Sequence, residues 1–158
     1  MSTETTTFDI LSEDVKVKVH EFNDNVCIDI RKYYIDTAYE VASDGKSIKE
    51  SKNELLPTTK GISLSTDQWF LLIDNYEDIN TAVKECLNEN STIDKEFLTV
   101  PLSEYIACKV HRYKKHTCID IRKYYKKDSK ILPGRGISLN PAQFDYLGKL
   151  FKGINALL

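Results

Sequence analysis

The chain has 158 residues, 41% hydrophobic and 29% charged, which fits a soluble globular protein, and no apolar run approaches the ~20 residues that carry a helix across a bilayer. Met1 to Thr7 lacks the basic start and apolar stretch of a signal peptide, so an intracellular protein with reduced thiols is expected. The formal charge of −2 hides a division: residues 1–90 hold 9 Lys and Arg against 18 Asp and Glu, a net −9, whereas residues 91–158 hold 13 against 6, a net +7. A half this basic suits a polyanionic partner, while the acidic half serves solubility or faces a protein.

In chain order, the polar residues 1–7 read as a disordered tail. Val15, Val17 and Val19 then alternate with Lys16, Lys18 and His20, the period of a strand with one buried and one wet face. A polar turn at Asn23-Asp24-Asn25 leads into a second alternating run, where Ile28 and Ile30 face one way and Asp29 and Arg31 the other. Phe22 is in phase with Lys18 and His20 on the charged, open face. Residues from about 35 to 57 show no sustained apolar period and read as a polar loop rather than an extended hairpin. Gly61-Ile62-Ser63-Leu64 is a short strand. Ser65 and Gln68 then form a capping box that opens an amphipathic helix carrying Trp69, Leu72, Ile73, Tyr76, Ile79 and Val83.

After a polar linker, roughly Asn88 to Asp94, the same elements return. Cys27 to Tyr34 recurs letter for letter as Cys118 to Tyr125, 91 positions on, and Gly61-Ile62-Ser63-Leu64 recurs as Gly136-Ile137-Ser138-Leu139, 75 positions on. The first copy therefore carries an insertion of 16 residues between Ile35 and Lys60. In the second copy Ile106, Cys108 and Val110 alternate, Lys114-Lys115-His116 makes the turn, and Asn140-Pro141-Ala142-Gln143 opens a helix with Phe144, Leu147, Leu150, Phe151 and Ile154 on one face. The chain thus divides into a first repeat over 8–88 and a second over 95–158. Each repeat alone would be marginal at this size, so the two are expected to share one core.

Cys108-x-x-His111 with His116-x-Cys118 imitates a zinc pattern. Residues three apart on a strand point to opposite faces, however, and the first copy has Val17 and Asn25 at two of the four places, so no metal is expected. There is no Gly-rich phosphate loop and no nucleophile motif. Neither an enzyme activity nor a cofactor is expected.

The order aromatic, basic turn, Ile119-Asp120-Ile121-Arg122-Lys123-Tyr124-Tyr125, then Pro133-Gly134-Arg135-Gly136-Ile137-Ser138-Leu139-Asn140-Pro141-Ala142-Gln143-Phe144 and helix resembles the C-terminal domain of positive cofactor four, a family of eukaryotic transcriptional coactivators that bind single-stranded DNA. The resemblance runs from Tyr105 to Leu158 and, interrupted by the insertion, through the first repeat. It implies an α+β fold in which each repeat is a curved antiparallel four-stranded sheet followed by one helix, the two paired in one chain as an intramolecular pseudo-twofold dimer. Carried onto this sequence, the family's groove falls on Tyr113, Lys114, His116, Arg122, Tyr125 and Arg135, with Lys109 beside them. In the first repeat it falls on Phe22, Arg31, Tyr34 and Lys60, with Asn23, Asp24 and Asn25 in the turn. Tyr stands where the family often has Trp, and Glu13 and Glu104 where it often has a basic residue.

These residue types suit an unpaired strand, because aromatic faces stack on any base at about 1–3 kcal/mol each and Lys or Arg track phosphates without reading sequence. The first-repeat groove is expected to be the weaker, since Asp24 opposes phosphate. Pairing of Arg31 and Arg122 with Asp29 and Asp120 is the competing role for the two arginines. Single-stranded DNA is the expected partner, with RNA not separable from it by sequence, and transcription or the handling of melted DNA the setting. The alternative is an adaptor that recruits transcription proteins through the acidic repeat. The compartment would be the nucleus in a eukaryote, or the cytoplasm, a viral factory or the virion for a viral protein.

Overall fold

A computed structural model describes residues 3–8, 11–12 and 14–158, apart from the side chains of residues 3–4, 22, 38–40 and 49–53. Two antiparallel meanders form two sheets. The first has β1 (Thr3–Thr7), β2 (Val15–Phe22), β3 (Asn25–Val41) and β4 (Ile48–Ser65) in that order; the second has β5 (Lys95–Pro101), β6 (Ile106–Tyr113), β7 (His116–Lys127) and β8 (Lys130–Leu139). The alternation read from the sequence places Val15, Val17, Val19, Ile28 and Ile30, and likewise Cys108, Val110, Ile119 and Ile121, on the buried faces.

Each sheet leads into a helix opened by a complete capping box, Ser65 with Gln68 before α1 (Thr66–Asp74) and Asn140 with Gln143 before α3 (Pro141–Asn155). The first helix differs from expectation in being two. Asn75 donates its side-chain amide to the Leu71 carbonyl at 2.8 Å and ends α1, and α2 (Tyr76–Asn88) starts afresh with Ile79 N–H donating to Asn75 O. A side chain that bonds back along its own helix competes with the backbone ladder, which accounts for the break. No helix among the described residues is long and apolar enough to cross a membrane.

The helices bring the repeats together around a single hydrophobic core, with Trp69, Leu72 and Ile79 of one repeat meeting Phe144, Leu147 and Ile154 of the other. Trp69 sits edge-on to Phe151 with centroids 5.1 Å apart, and Tyr76 stacks on Phe144 at 5.0 Å. The 75-residue offset carries Trp69 onto Phe144 and Tyr76 onto Phe151, so the two pairs join equivalent positions of the two repeats, edge-on in one and stacked in the other. Trp69 Nε1 also donates to Asn155 Oδ1 at 2.8 Å. Helix α2 lies against the second sheet, where Cys86 Sγ is 3.1 Å from Thr117 Oγ1.

Two expectations for the first repeat are corrected. Residues 3–7 of the supposed tail form β1, paired with β2 from Thr3 opposite Phe22 to Thr7 opposite Lys18; a run of β-branched threonines suits an edge strand. The inserted stretch is an extended hairpin, not a loop, since β3 and β4 stay paired from Tyr34 opposite Leu56 to Val41 opposite Ile48. Register shifts after Arg31 and after Ala38 break the strict alternation, and none of the arm's described side chains from Tyr34 to Thr37 and from Val41 to Ile48 is buried in the core to impose a period.

The tip of this arm is closed by Asp44, whose carboxylate accepts the amides of Lys46 and Ser47 at 2.8 Å and the Ser47 hydroxyl at 2.7 Å. These bonds, the Ser47 amide foremost, hold the Asp44 carboxyl down to about 2. A depressed carboxylate orders the tip above its ordinary titration range and loses that effect as pH falls toward the folded value. The Lys46 and Ser47 amide resonances should therefore titrate with a midpoint near 2. Asp44→Ala should free the tip at neutral pH, seen as lowered heteronuclear NOEs there, with the rest of the spectrum unmoved.

Candidate nucleic-acid interface

The β6–β7 turn sets one end of the candidate site. Lys114 and Lys115 both take positive φ, +48° and +71°, as a two-residue type I′ hairpin turn demands. Asn and Gly suit such a turn and Lys does not, whereas the first repeat fills the same places with Asn23 and Asp24 at +51° and +65°. Asp94 of the linker accepts the Lys114 N–H at 3.0 Å and holds the turn in place. The linker is itself fixed by buried Arg112, which donates to the Ile93 carbonyl at 2.7 Å and faces Glu89 at 3.6 Å. Beside the turn the Tyr113 ring is 50% exposed, with Lys114 Nζ 5.3 Å from its centroid.

The duplicated Asp-Ile-Arg segment builds the same device in both sheets. Arg122 donates from Nε and Nη2 to the two Asp120 oxygens at 3.0 and 2.9 Å and from Nη1 to the Gly134 carbonyl at 2.8 Å. Arg31 does likewise with Asp29, at 3.1 and 2.9 Å, and the Thr58 carbonyl at 2.9 Å. The hydrogen-bonded carboxylate raises both guanidinium pKa values further. The competing role weighed from the sequence, pairing with aspartate, is thus what the arginine geometry shows, and a fork already neutralised in this way attracts a phosphate less.

Each fork closes a β-bulge. The register shifts between Arg122 and Tyr124 and between Arg31 and Tyr33, and the carbonyls that accept from the arginines lie on the bulged strand. Arg135 and Lys60 stand in these bulges, so the forks position the basic side chains that follow. The strand partner of each arginine is glycine: a Cβ on Gly136 would lie 2.5 Å from the Ile121 carbonyl oxygen, and one on Gly61 would lie 2.6 Å from the Arg31 guanidinium carbon, in the space the fork occupies.

Of the residues chosen from sequence, Tyr113, Lys114, His116, Arg122, Arg135 and Lys60 line one groove of about 1050 Å³. Tyr125 is 47% exposed but does not line that groove, standing instead where β7 and β8 run on beyond the bulge. Lys109 lies 4.8 Å over the half-buried Tyr124 ring and 3.6 Å from Glu96, also outside the groove. In the first repeat, Tyr34 is 49% exposed and borders a separate cleft of about 510 Å³ with Asp14, Ile35 and Leu55. The side chain of Phe22 lies outside the described residues.

Sequence reasoning missed Lys115, Lys32, Thr59 and Leu87 as groove residues. Lys115 was legible from its place in the basic turn, but the other three come from the opposite repeat and carried no local signal. The zinc-like pattern is divided by the sheet, with Cys108 buried in the core and its thiol pushed up to about 12 by burial, while His111 and Cys118 are partly exposed. No group of metal-ligating side chains converges among the described residues.

Residues 100–150 match the profile of the family described as Transcriptional Coactivator p15 (PC4). The chain is similar to two proteins of Arabidopsis thaliana, the RNA polymerase II transcriptional coactivators KIWI, at 37% identity over 75 residues, and KELP, at 36% over 75 residues. Each match covers 48% of this chain, and 56% and 36% respectively of the two relatives, so the chain spans only about half or less of their length. No solved structure matches.

Proposed function

We propose, from the premise that the second repeat carries a domain of the transcriptional coactivator p15 (PC4) family, that this protein binds single-stranded DNA without sequence preference and acts as a transcriptional coactivator. The observation that carries this reading is the groove where half-exposed Tyr113 stands among Lys114, Lys115, Arg135 and Lys60. A base stacks on the ring while its flanking phosphates meet the lysines, a mode of binding that accepts any base. The two repeats stand in for the two subunits of a dimer, so the working unit is a monomeric pseudo-dimer, nuclear where the host is a eukaryote.

The test is a fluorescence-anisotropy titration of a labelled strand of about 20 nucleotides at two salt concentrations, with duplex and RNA competitors. Binding should prefer the single strand and weaken with salt, log K falling by about 0.7 per phosphate contact for each decade of salt. No binding at low salt, or equal preference for duplex, would sink the reading. The RNA competitor decides which polymer is preferred.

One observation favours a second role, that of an adaptor for basic proteins. Phe70 and Leu71 are 42% and 41% exposed on α1, at positions where α3 has Asp145 and Tyr146, and Asp67, Asp74, Glu77 and Asp78 surround them along the helices. Loss of coactivation by a Phe70→Ser/Leu71→Gln variant that still binds DNA would establish that role.

A further inference from the structure

We infer that the first repeat is a wall of the second repeat's groove rather than a second binding site, so that one chain holds one single-strand site built by both repeats. This rests on the nucleic-acid reading above and says which residues complete the site and how many strands it takes.

The groove is bordered from the second repeat by Tyr113, Lys115 and Arg135, and from the first by Lys32, Lys60 and Leu87. Both bulge cations, Arg135 and Lys60, therefore serve the same groove, because β4 and β8 lie alongside each other where the repeats meet. A chain of contacts fixes the first-repeat wall to the second repeat. Gln143 Nε2 donates to Ser12 Oγ at 3.0 Å, Ser12 Oγ donates to Asp14 Oδ1 at 2.8 Å, and Asp14 Oδ2 holds Lys32 Nζ at 3.3 Å. The Lys32–Asp14 pair is on the rim, both side chains over 40% exposed, where a phosphate can take the lysine from the carboxylate. Elsewhere on the groove, the Cys86–Thr117 contact seats α2 against β7 and brings half-exposed Leu87 to the lining as an apolar face.

The first repeat has no comparable site of its own among the described residues. Its turn is Asn23-Asp24 in place of two lysines, and the cleft beside Tyr34 has no Lys or Arg in its lining. Lys16 and Lys18 on its open sheet face lie 5.6 and 5.0 Å over the buried Tyr33 ring. Among the described clefts, cations gather with an exposed aromatic ring where the second repeat and the first-repeat wall meet, and not in the cleft of the first repeat. The family match over 100–150 locates half of this site and none of the wall.

Calorimetric titration of the full chain with an oligo-dT of about 10 nucleotides tests the inference. One strand per chain is expected. Lys32→Glu/Lys60→Glu should weaken binding on the order of tenfold or more, whereas Lys16→Glu/Lys18→Glu should change it by less than about twofold. Two equivalent strands per chain, or an equal loss from the Lys16/Lys18 pair, overturns the shared groove. Tyr113→Ala separates the two levels. If it weakens binding while Lys32→Glu/Lys60→Glu does not, the wall fails and the nucleic-acid reading stands. If neither variant changes binding, the groove is not where the strand lies and the shared site is overturned; if the wild-type chain binds nothing, the nucleic-acid reading fails too.

Discussion

Trp69→Ala should lower the stability of the whole chain by about 3–5 kcal/mol, with both repeats lost in one transition. Trp69 is fully buried, packs edge-on to Phe151 of the other repeat and donates its indole N–H to Asn155 there, so truncation opens a cavity at the joint and leaves an amide without its partner. A total stability of about 5–15 kcal/mol makes this a large fraction of what holds the fold. Among the described residues the buried side chains of both repeats form one core around the helices, so loss of that core takes both repeats with it. Urea unfolding followed by far-UV circular dichroism is the suitable measurement, because Trp69 is the chain's single tryptophan and its loss removes the fluorescence probe. Two separated transitions in the wild type would show that the repeats fold independently.

Lys114→Asn/Lys115→Gly should move stability and binding in opposite directions. Both lysines occupy left-handed backbone that Asn and Gly adopt with little strain, so the variant should gain about 1–2 kcal/mol. It also removes two cations from the groove. Affinity for single-stranded DNA should fall on the order of tenfold or more, and the salt slope should shrink by about the contribution of two phosphate contacts. Unchanged affinity alongside raised stability would mean that the lysines serve solubility alone. The first repeat, with Asn23-Asp24 in the same turn, shows what this backbone accepts where phosphate does not have to be met.

The strands and helix starts were legible because each depends on local patterning. Valines and isoleucines at period two, capping boxes three residues wide and a 75-residue offset between the helices are written in consecutive letters. Where the pattern is interrupted, reading by period failed: the arm of β3 and β4 has register shifts that break its alternation, and the threonines of β1 are polar by composition although β-branched by shape. The bend at Asn75 depends on one side-chain bond to Leu71, a choice that an amphipathic period spanning both helices does not reveal.

By itself the sequence determined the duplication, the alternating faces, the basic second half and the aromatic and cationic residue types that a single strand needs, since all of these are properties of residue order and charge. Only the tertiary structure decided which of those residues meet. It closed Arg31 and Arg122 onto their own aspartates, left Tyr125 and Lys109 outside the groove, and turned Lys60 with Lys32 and Leu87 toward the second repeat. The reason is physical: the aromatic contacts between the helices set how one sheet stands against the other, and a groove wall that crosses between repeats exists only once both faces are buried in one core.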